Sequence, residues 1–229
     1  MYSFAQRDDI RVVDEPLYGH YLRASGARHP GGDEVMAAMK CDGDRVMREL
    51  LEAQADDPSR RLFIKHMAHH LTQIDLGFVT RTCNVFLIRD PVEMLPSLTI
   101  QVPHAGLTDT GLKRQWDLFT DLESAGQKPT VLDSRELLLD PAGVLRQLCN
   151  RIGLEYSDRM LHWKAGPRPE DGVWAPHWYH AVHRSTGFAA YQPKVGFPEH
   201  LESLLEECRP WYDKLFAHAL LTTTNGDRQ

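Results

Sequence analysis

The run Cys83 to Arg89, CNVFLIR, is apolar on both of its faces and breaks off at once into Asp90-Pro91. A strand of that pattern belongs inside a parallel sheet covered by helices on each side. Three further runs read the same way: Ile10 to Asp14 (IRVVD), Arg61 to Met67 (RLFIKHM) and Thr130 to Asp133 (TVLD). Each is short, rich in Val, Ile, Leu or Phe, and followed by a turn or helix signal. Helical periodicity fills the intervals. Asp33 to Ala55 is one such segment with a break at Gly43, and Leu112 to Ala125 and Pro141 to Ile152 are two more. Pro198 to Leu220 reads as a long last helix, interrupted or restarted near Pro210. Asp140-Pro141 supplies an N-cap followed by proline at the first helical position. Strand alternating with helix predicts an α/β fold with a mostly parallel sheet flanked by helices.

A chain of 229 residues is long enough to bury a substantial core. The expected organisation is one domain over residues 1–220 with a short polar tail at 221–229. The net charge of -6 argues against a general nucleic-acid or membrane-surface binder, which needs a basic face. No apolar run reaches bilayer-spanning length, and no charged-then-apolar leader opens the chain. Cys41, Cys83, Cys149 and Cys208 are scattered without metal-type spacing and read as free thiols of a cytoplasmic protein.

In open parallel sheets ligands bind beyond the carboxyl ends of the strands. Glu15-Pro16 follows the first strand; Lys65, His66, His69 and His70 follow the second. The third ends in Arg89-Asp90-Pro91 and the fourth in Asp133-Ser134-Arg135-Glu136. Cations or histidines at three of four strand ends are unusual in a chain that is acidic overall. Arg89 sits where a buried strand emerges, so its guanidinium can grip an anion with fork geometry. Asp90 is placed to cap the next helix and Pro91 to start it, and that helix would aim unpaired N–H groups at the same anion. Ser97 lies further along the helix and could add a hydroxyl. A plain strand-to-helix turn, with Arg89 in a surface ion pair, explains the same residues equally well.

The run VFLIRDPVEMLPS resembles the 3′-phosphate-binding segment of the sulfotransferase superfamily, where a strand ends in Arg-Asp/Asn-Pro and a serine follows eight residues after the arginine. Arg89 and Ser97 match that spacing. The resemblance implies a P-loop NTPase-like fold and a pair that grips the 3′-phosphate of 3′-phosphoadenylyl sulfate (PAPS). VLDSRELLLDPAGVLRQLCNRIGLEYSDRMLHW is similar to a second family segment, with Ser134 where many relatives carry tyrosine. The likeness runs from about residue 1 to 195 and is strongest to short bacterial sulfotransferase family proteins. Arg184-Ser185-Thr186-Gly187 falls where relatives place a late basic loop, without the Arg-Lys-Gly pattern, which makes Arg184 a further cofactor-binding candidate.

The family's phosphosulfate loop, of the type Pro-Lys/Arg-Ser-x-Ser/Thr-Thr, is absent, and Met1 to Gln6 (MYSFAQ) reads like the helix that follows such a loop. The expectation is therefore a fold whose N-terminal strand is missing, with a truncated or misassigned start preferred over a degenerate family member. Sulfuryl transfer needs a base for the acceptor's proton and cations for charge on the bridging oxygen. Glu15 resembles the glutamate that some bacterial relatives use as base. Lys65 resembles in placement the lysine of the family's Lys-Thr-His segment, and His66 or His69 the histidine. One of Glu15, His66 and His69 is expected to be the base, with Lys65 assisting.

The spacings of His66 with His70, and of His177, His180 and His183, lack a matching acidic or cysteine ligand, so no metal is expected. The stretch Trp174 to Tyr179 lines an acceptor pocket or covers the core. The leading expectation is a PAPS-dependent sulfotransferase acting on a hydroxyl or amine of a small-molecule acceptor, and a homo-oligomer is compatible with the sequence. The alternatives are a non-catalytic nucleotide-binding or interaction protein, and a P-loop-type small-molecule kinase. The latter needs a Walker lysine and a magnesium-binding Ser/Thr, neither of which occurs.

Overall fold

The computed structural model describes residues 1–222, so most of the expected polar tail, residues 223–229, lies outside the described residues. In chain order the first elements are β1 (Ile10–Asp14), α1 (Tyr18–Ser25), α2 (Gly32–Ala38), α3 (Gly43–Asp56) and β2 (Arg61–Lys65). Then come β3 (Val85–Ile88), α4 (Pro91–Gln101), α5 (Leu107–Thr110), α6 (Leu112–Ser124), β4 (Thr130–Asp133), α7 (Ser134–Leu139) and α8 (Pro141–Arg151). The last are α9 (Ala175–Trp178), α10 (His180–Arg184), α11 (Glu202–Phe216) and β5 (Ala219–Leu220). Every strand pairing is parallel, and helices stand between the strands, as the alternating pattern requires. Among the described residues the strands form two sheets, β1-β2 and β3-β4-β5, so β1 and β3 each keep one unpaired edge.

The chain divides into two compact units. The first combines Met1–Phe78 with Ser157–Phe188. Its sheet pairs Ile10 with Arg61 through Asp14 with Lys65, and the Phe4 and Phe63 rings stack at 4.3 Å. Tyr18, Tyr21, Leu22, Val35 and Trp174 make a hydrophobic core in the same unit. The helix expected over Asp33 to Ala55 is interrupted over residues 39–42 and restarts at Gly43, where Asp42 caps α3 by accepting the Arg45 N–H at 3.0 Å. Met1 to Gln6 contributes a single 3-10 turn at Phe4–Gln6 rather than a helix.

The second unit combines Val79–Tyr156 with the chain from Ala189 onward. β4 is its central strand, buried along its whole length, with β3 and β5 on either side. Phe119, Leu122, Val144, Leu148 and Leu215 from α6, α8 and α11 are buried in the same unit. Each contributes roughly 1.5–3 kcal/mol by leaving water. Asp140 accepts the Gly143 N–H at 2.9 Å ahead of Pro141, the cap that the sequence spells out.

Three further elements differ from expectation at their boundaries. β2 stops at Lys65 because the chain turns into a 3-10 turn at Ala68–His70. β3 starts at Val85 because the Asn84 amide is drawn back onto the carbonyls of Val79 and Thr82, both at 2.8 Å. The final helix is shorter than Pro198 to Leu220. A 3-10 turn at Glu199–Leu201 precedes α11, α11 runs through Pro210 without a break, and residues 219 and 220 leave it to pair with β4. The buried side chains of Cys208, Tyr212 and Leu215 hold α11 across the bond that proline cannot donate.

Candidate functional site

In the first unit the parallel register brings Asp14 and Lys65 level at the carboxyl ends of β1 and β2. Glu15 continues the ladder by donating its N–H to the Lys65 carbonyl at 2.9 Å, then turns out with φ of 40°. That left-handed conformation costs a non-glycine residue on the order of 1–2 kcal/mol, and residues held in it cluster at working sites. The Lys65 ammonium donates to the Glu15 carboxylate and to the Tyr179 hydroxyl at 2.8 Å, and lies 3.4 Å from Asp14 Oδ1. Tyr179 in turn donates to Asp14 Oδ2 at 2.7 Å.

Burial pushes the Glu15 carboxyl above its ordinary range, against the pull of the Lys65 ammonium. Burial alone would lower the Lys65 ammonium, but Glu15, Tyr179 and Asp14 together hold it above its usual value. A carboxylate of raised proton affinity on a firmly charged lysine is a pair suited to taking a proton and stabilising a departing oxygen.

The three histidines of the segment differ in surroundings. His70 is the one nearest Glu15, with Nδ1 3.9 Å from Oε2, and its ring stacks on Tyr18 and Tyr21. Burial, and then the neighbouring His69 and Lys65, hold it well below the ordinary imidazole range, so it is neutral. His66 has both ring nitrogens buried without a hydrogen-bond partner, and burial beside Lys65 lowers it to about 4. A ring that resists protonation so strongly is a poor proton acceptor at neutral pH. His69 meets the edges of His70 and Tyr21 at 4.7 and 5.0 Å. Tyr179, Asp14 and His70 thus complete a site of which only Glu15 and Lys65 were expected, together with His66 and His69 as further candidates. The positive φ at Glu15 could not be read from its residue type.

In the second unit Asp90 and Pro91 do cap and start α4, with Asp90 Oδ1 accepting the Val92 N–H at 2.9 Å. The Asp90 carbonyl takes the N–H groups of both Glu93 and Met94 at 2.9 Å. The expectation that this helix offers unpaired N–H groups to an anion is therefore corrected: Asp90 uses them. Arg89 is exposed and reaches Glu93 with Nε 3.6 Å from Oε2, while Ser97 stands exposed on α4. Glu93 is the centre of a further set. Tyr191 donates to its carboxylate at 2.6 Å, Lys194 to its backbone carbonyl at 2.8 Å, and the Arg135 guanidinium lies over the Tyr191 ring. Arg209 lies 3.3 Å from Asp90. Burial, and then the charge of Arg89, pull the Lys194 ammonium below its usual value. Arg89, Arg135, Lys194 and Arg209 thus gather around Asp90, Glu93 and the buried Asp133, which leaves the cations one ahead of the carboxylates.

Arg184, expected as a further cofactor-binding residue, ends α10 in the first unit and is exposed, and in the second unit the Lys194 ammonium stands beside Arg89. Among the described residues no group of three His, Cys, Asp or Glu side chains is arranged to hold a metal ion, and no helix is long and apolar enough to cross a membrane.

Parallel strands flanked by helices, with charged side chains gathered where strands end, define an α/β protein of the kind that binds ligands beyond its strand ends. The chain belongs to the sulfotransferase domain family, whose model matches residues 1–219. It is 38% identical over 221 residues to branched-chain-amino-acid aminotransferase-like protein 2 of Arabidopsis thaliana, a match over 95% of this chain and 39% of that protein. Its identity to aminotransferase-like protein 1 of the same plant is 40% over 221 residues, with the same coverage. The chain therefore spans about two fifths of the length of these curated relatives. Among solved structures, the sulfotransferase domain from the curacin biosynthetic pathway aligns with a TM-score of 0.43 and 11% identity, over 84% of this chain and 78% of that one.

Proposed function

We propose that this chain serves PAPS-dependent sulfuryl transfer to a hydroxyl or amine of a small-molecule acceptor, in the cytoplasm. The observation that carries the reading is the buried Glu15 carboxyl of raised proton affinity, set on Lys65 at a strained backbone position. In this reading Glu15 removes the acceptor's proton as the acceptor oxygen or nitrogen bonds to sulfur. The bond from sulfur to the bridging oxygen breaks, adenosine 3′,5′-bisphosphate leaves, and the Lys65 ammonium stabilises the charge on that oxygen. Glu15 is favoured as base over His66 and His69, because His66 is buried neutral and His69 meets aromatic rings. Arg89 and Ser97 take the 3′-phosphate by family resemblance, and the charge beside Arg89 supports adding Lys194 to them.

The test is calorimetry with adenosine 3′,5′-bisphosphate on the wild type and on Arg89→Ala. Loss of one charge-assisted contact predicts a Kd roughly tenfold or more higher in the variant. Equal affinity in both proteins sinks the phosphate assignment. A second reading is a nucleotide-binding or interaction protein without catalysis. Nucleotide binding with no turnover of PAPS against a panel of alcohols and amines would select it.

A further inference from the structure

Tyr179 touches the Lys65 cluster through its hydroxyl, yet it lies 114 residues away in sequence on the segment between α9 and α10. What fixes that segment is Asp171, whose side chain is 5% exposed. It accepts hydrogen bonds from the Tyr2 hydroxyl at 2.9 and 2.8 Å, from the Arg168 N–H at 2.8 Å, and pairs with His183 Nε2 at 2.9 Å. A carboxylate with so many partners has little freedom to turn. His183 passes this order on. Its N–H donates to the Tyr179 carbonyl at 2.8 Å, and its ring meets the Tyr179 ring edge-on at 6.1 Å and 89°. The Gly166 N–H closes the segment onto the His183 carbonyl at 2.7 Å. Tyr179 then holds Lys65 twice, by its hydroxyl and by its ring, whose centroid is 5.2 Å from Nζ.

We propose that Asp171 and His183 are positioning residues: they set where the Tyr179 hydroxyl stands and, through it, where the Lys65 ammonium points. The functional meaning of this rests on the reading of Lys65 as the assisting cation, while the mechanical coupling does not. Without the Tyr179 hydroxyl, Lys65 keeps the carboxylates and the ring contact, shifts toward Glu15 and loses a hydrogen-bond partner of its charged form. The charged or titratable groups facing Lys65 are Asp14 and Glu15 from β1, Tyr179, His66, His70 and the amino group of Met1. Those facing Asp171 are Tyr2, Arg168 and His183.

The experiment is pulse acetylation of lysines with acetic anhydride between pH 6 and 10, read by mass spectrometry at Lys65, with exposed Lys40 and Lys113 as internal standards. It needs no nucleotide, so its failure is distinct from failure of the transfer reading. In Tyr179→Phe the Lys65 rate at pH 8 rises about tenfold and its pH profile moves down, the effect of losing one hydrogen bond to a charged group. Asp171→Asn gives the same direction of change, and Asp171→Asn with Tyr179→Phe gives no more than Tyr179→Phe alone. His183→Phe keeps the ring contact and loses the Asp171 bond, and decides the matter if circular dichroism shows that Asp171→Asn does not fold. Wild-type Lys65 rates in Asp171→Asn or His183→Phe, or effects that simply multiply in the double variant, overturn the proposal.

Discussion

The His70 ring lies nearly parallel to that of Tyr18, 8° apart with centroids at 4.9 Å, and Tyr21 stacks on the same imidazole at 4.6 Å. Two aromatic faces leave no room for hydration of a cation, so the ring stays neutral in the folded protein. The unfolded chain binds a proton at this position with the ordinary imidazole pKa near 6.5. Because the folded value is depressed, the stabilising contribution is full above about pH 6.5 and is lost as the pH falls toward the folded value. Denaturant melts of the wild type should lose stability from pH 7 to pH 5, by as much as about 1.4 kcal/mol per pH unit from this group. His70→Phe keeps the stack and should reduce that slope, leaving the part that the buried neutral His66 contributes. An unchanged slope would show that His70 is not the titrating group.

Among the described residues, Glu15 and Gln73 are the two non-glycine residues of positive φ, at 40° and 48°. Gln73 is exposed, so Gln73→Gly should relieve its strain and stabilise the protein by about 0.5–1 kcal/mol. Glu15→Gly gains the same relief but leaves Lys65 with less compensating charge, and should destabilise by roughly 1–3 kcal/mol. Thermal melts of the two variants should therefore move in opposite directions. Movement in the same direction would mean that the Glu15–Lys65 pair adds nothing to stability.

Lys194 stands beside Arg89 on the Glu93 carbonyl. Lys194→Ala should weaken adenosine 3′,5′-bisphosphate binding several-fold, and the loss should shrink as salt rises, because such a contact is screened. Arg184→Ala measured alongside it separates the two candidates for the late basic residue. A loss in Arg184→Ala with none in Lys194→Ala would return the role to Arg184.

Leu87 is 56% exposed in the middle of β3, whose second edge is unpaired among the described residues. An apolar side chain beside free backbone donors and acceptors promotes edge-to-edge association. Light scattering of concentrated samples should show less self-association in Leu87→Lys, with a melting temperature within a few degrees of the wild type. Equal scattering from both proteins would place self-association elsewhere.

The strand β4 was legible to the residue because TVLD is apolar, short and bounded by turn residues, and IRVVD marked β1 equally well. The two-residue β5 was not, since Ala219 and Leu220 continue the apolar period of the preceding helix and only their partners in β4 identify them. Glu15 and Lys65 were legible because both close a strand, and parallel strands end on the same side. Tyr179 was legible only as part of the Trp174 to Tyr179 stretch, and Asp171 not at all, because their partners Asp14 and Tyr2 are 165 and 169 residues away. The capping role of Asp90 was readable, while its use of the amides of Val92, Glu93 and Met94 needed coordinates.

The pairing of Asp14 with Lys65 has one more consequence. Side chains alternate faces along a strand, so sliding β2 by one residue against β1 would present Ile64 or His66 to Glu15 in place of the lysine. Such a mispaired chain would keep its secondary structure while turning Leu62, Phe63 and Ile64 to the opposite faces and losing its chemistry. Circular dichroism would pass it as native, and only the reactivity of one amine would tell the two populations apart.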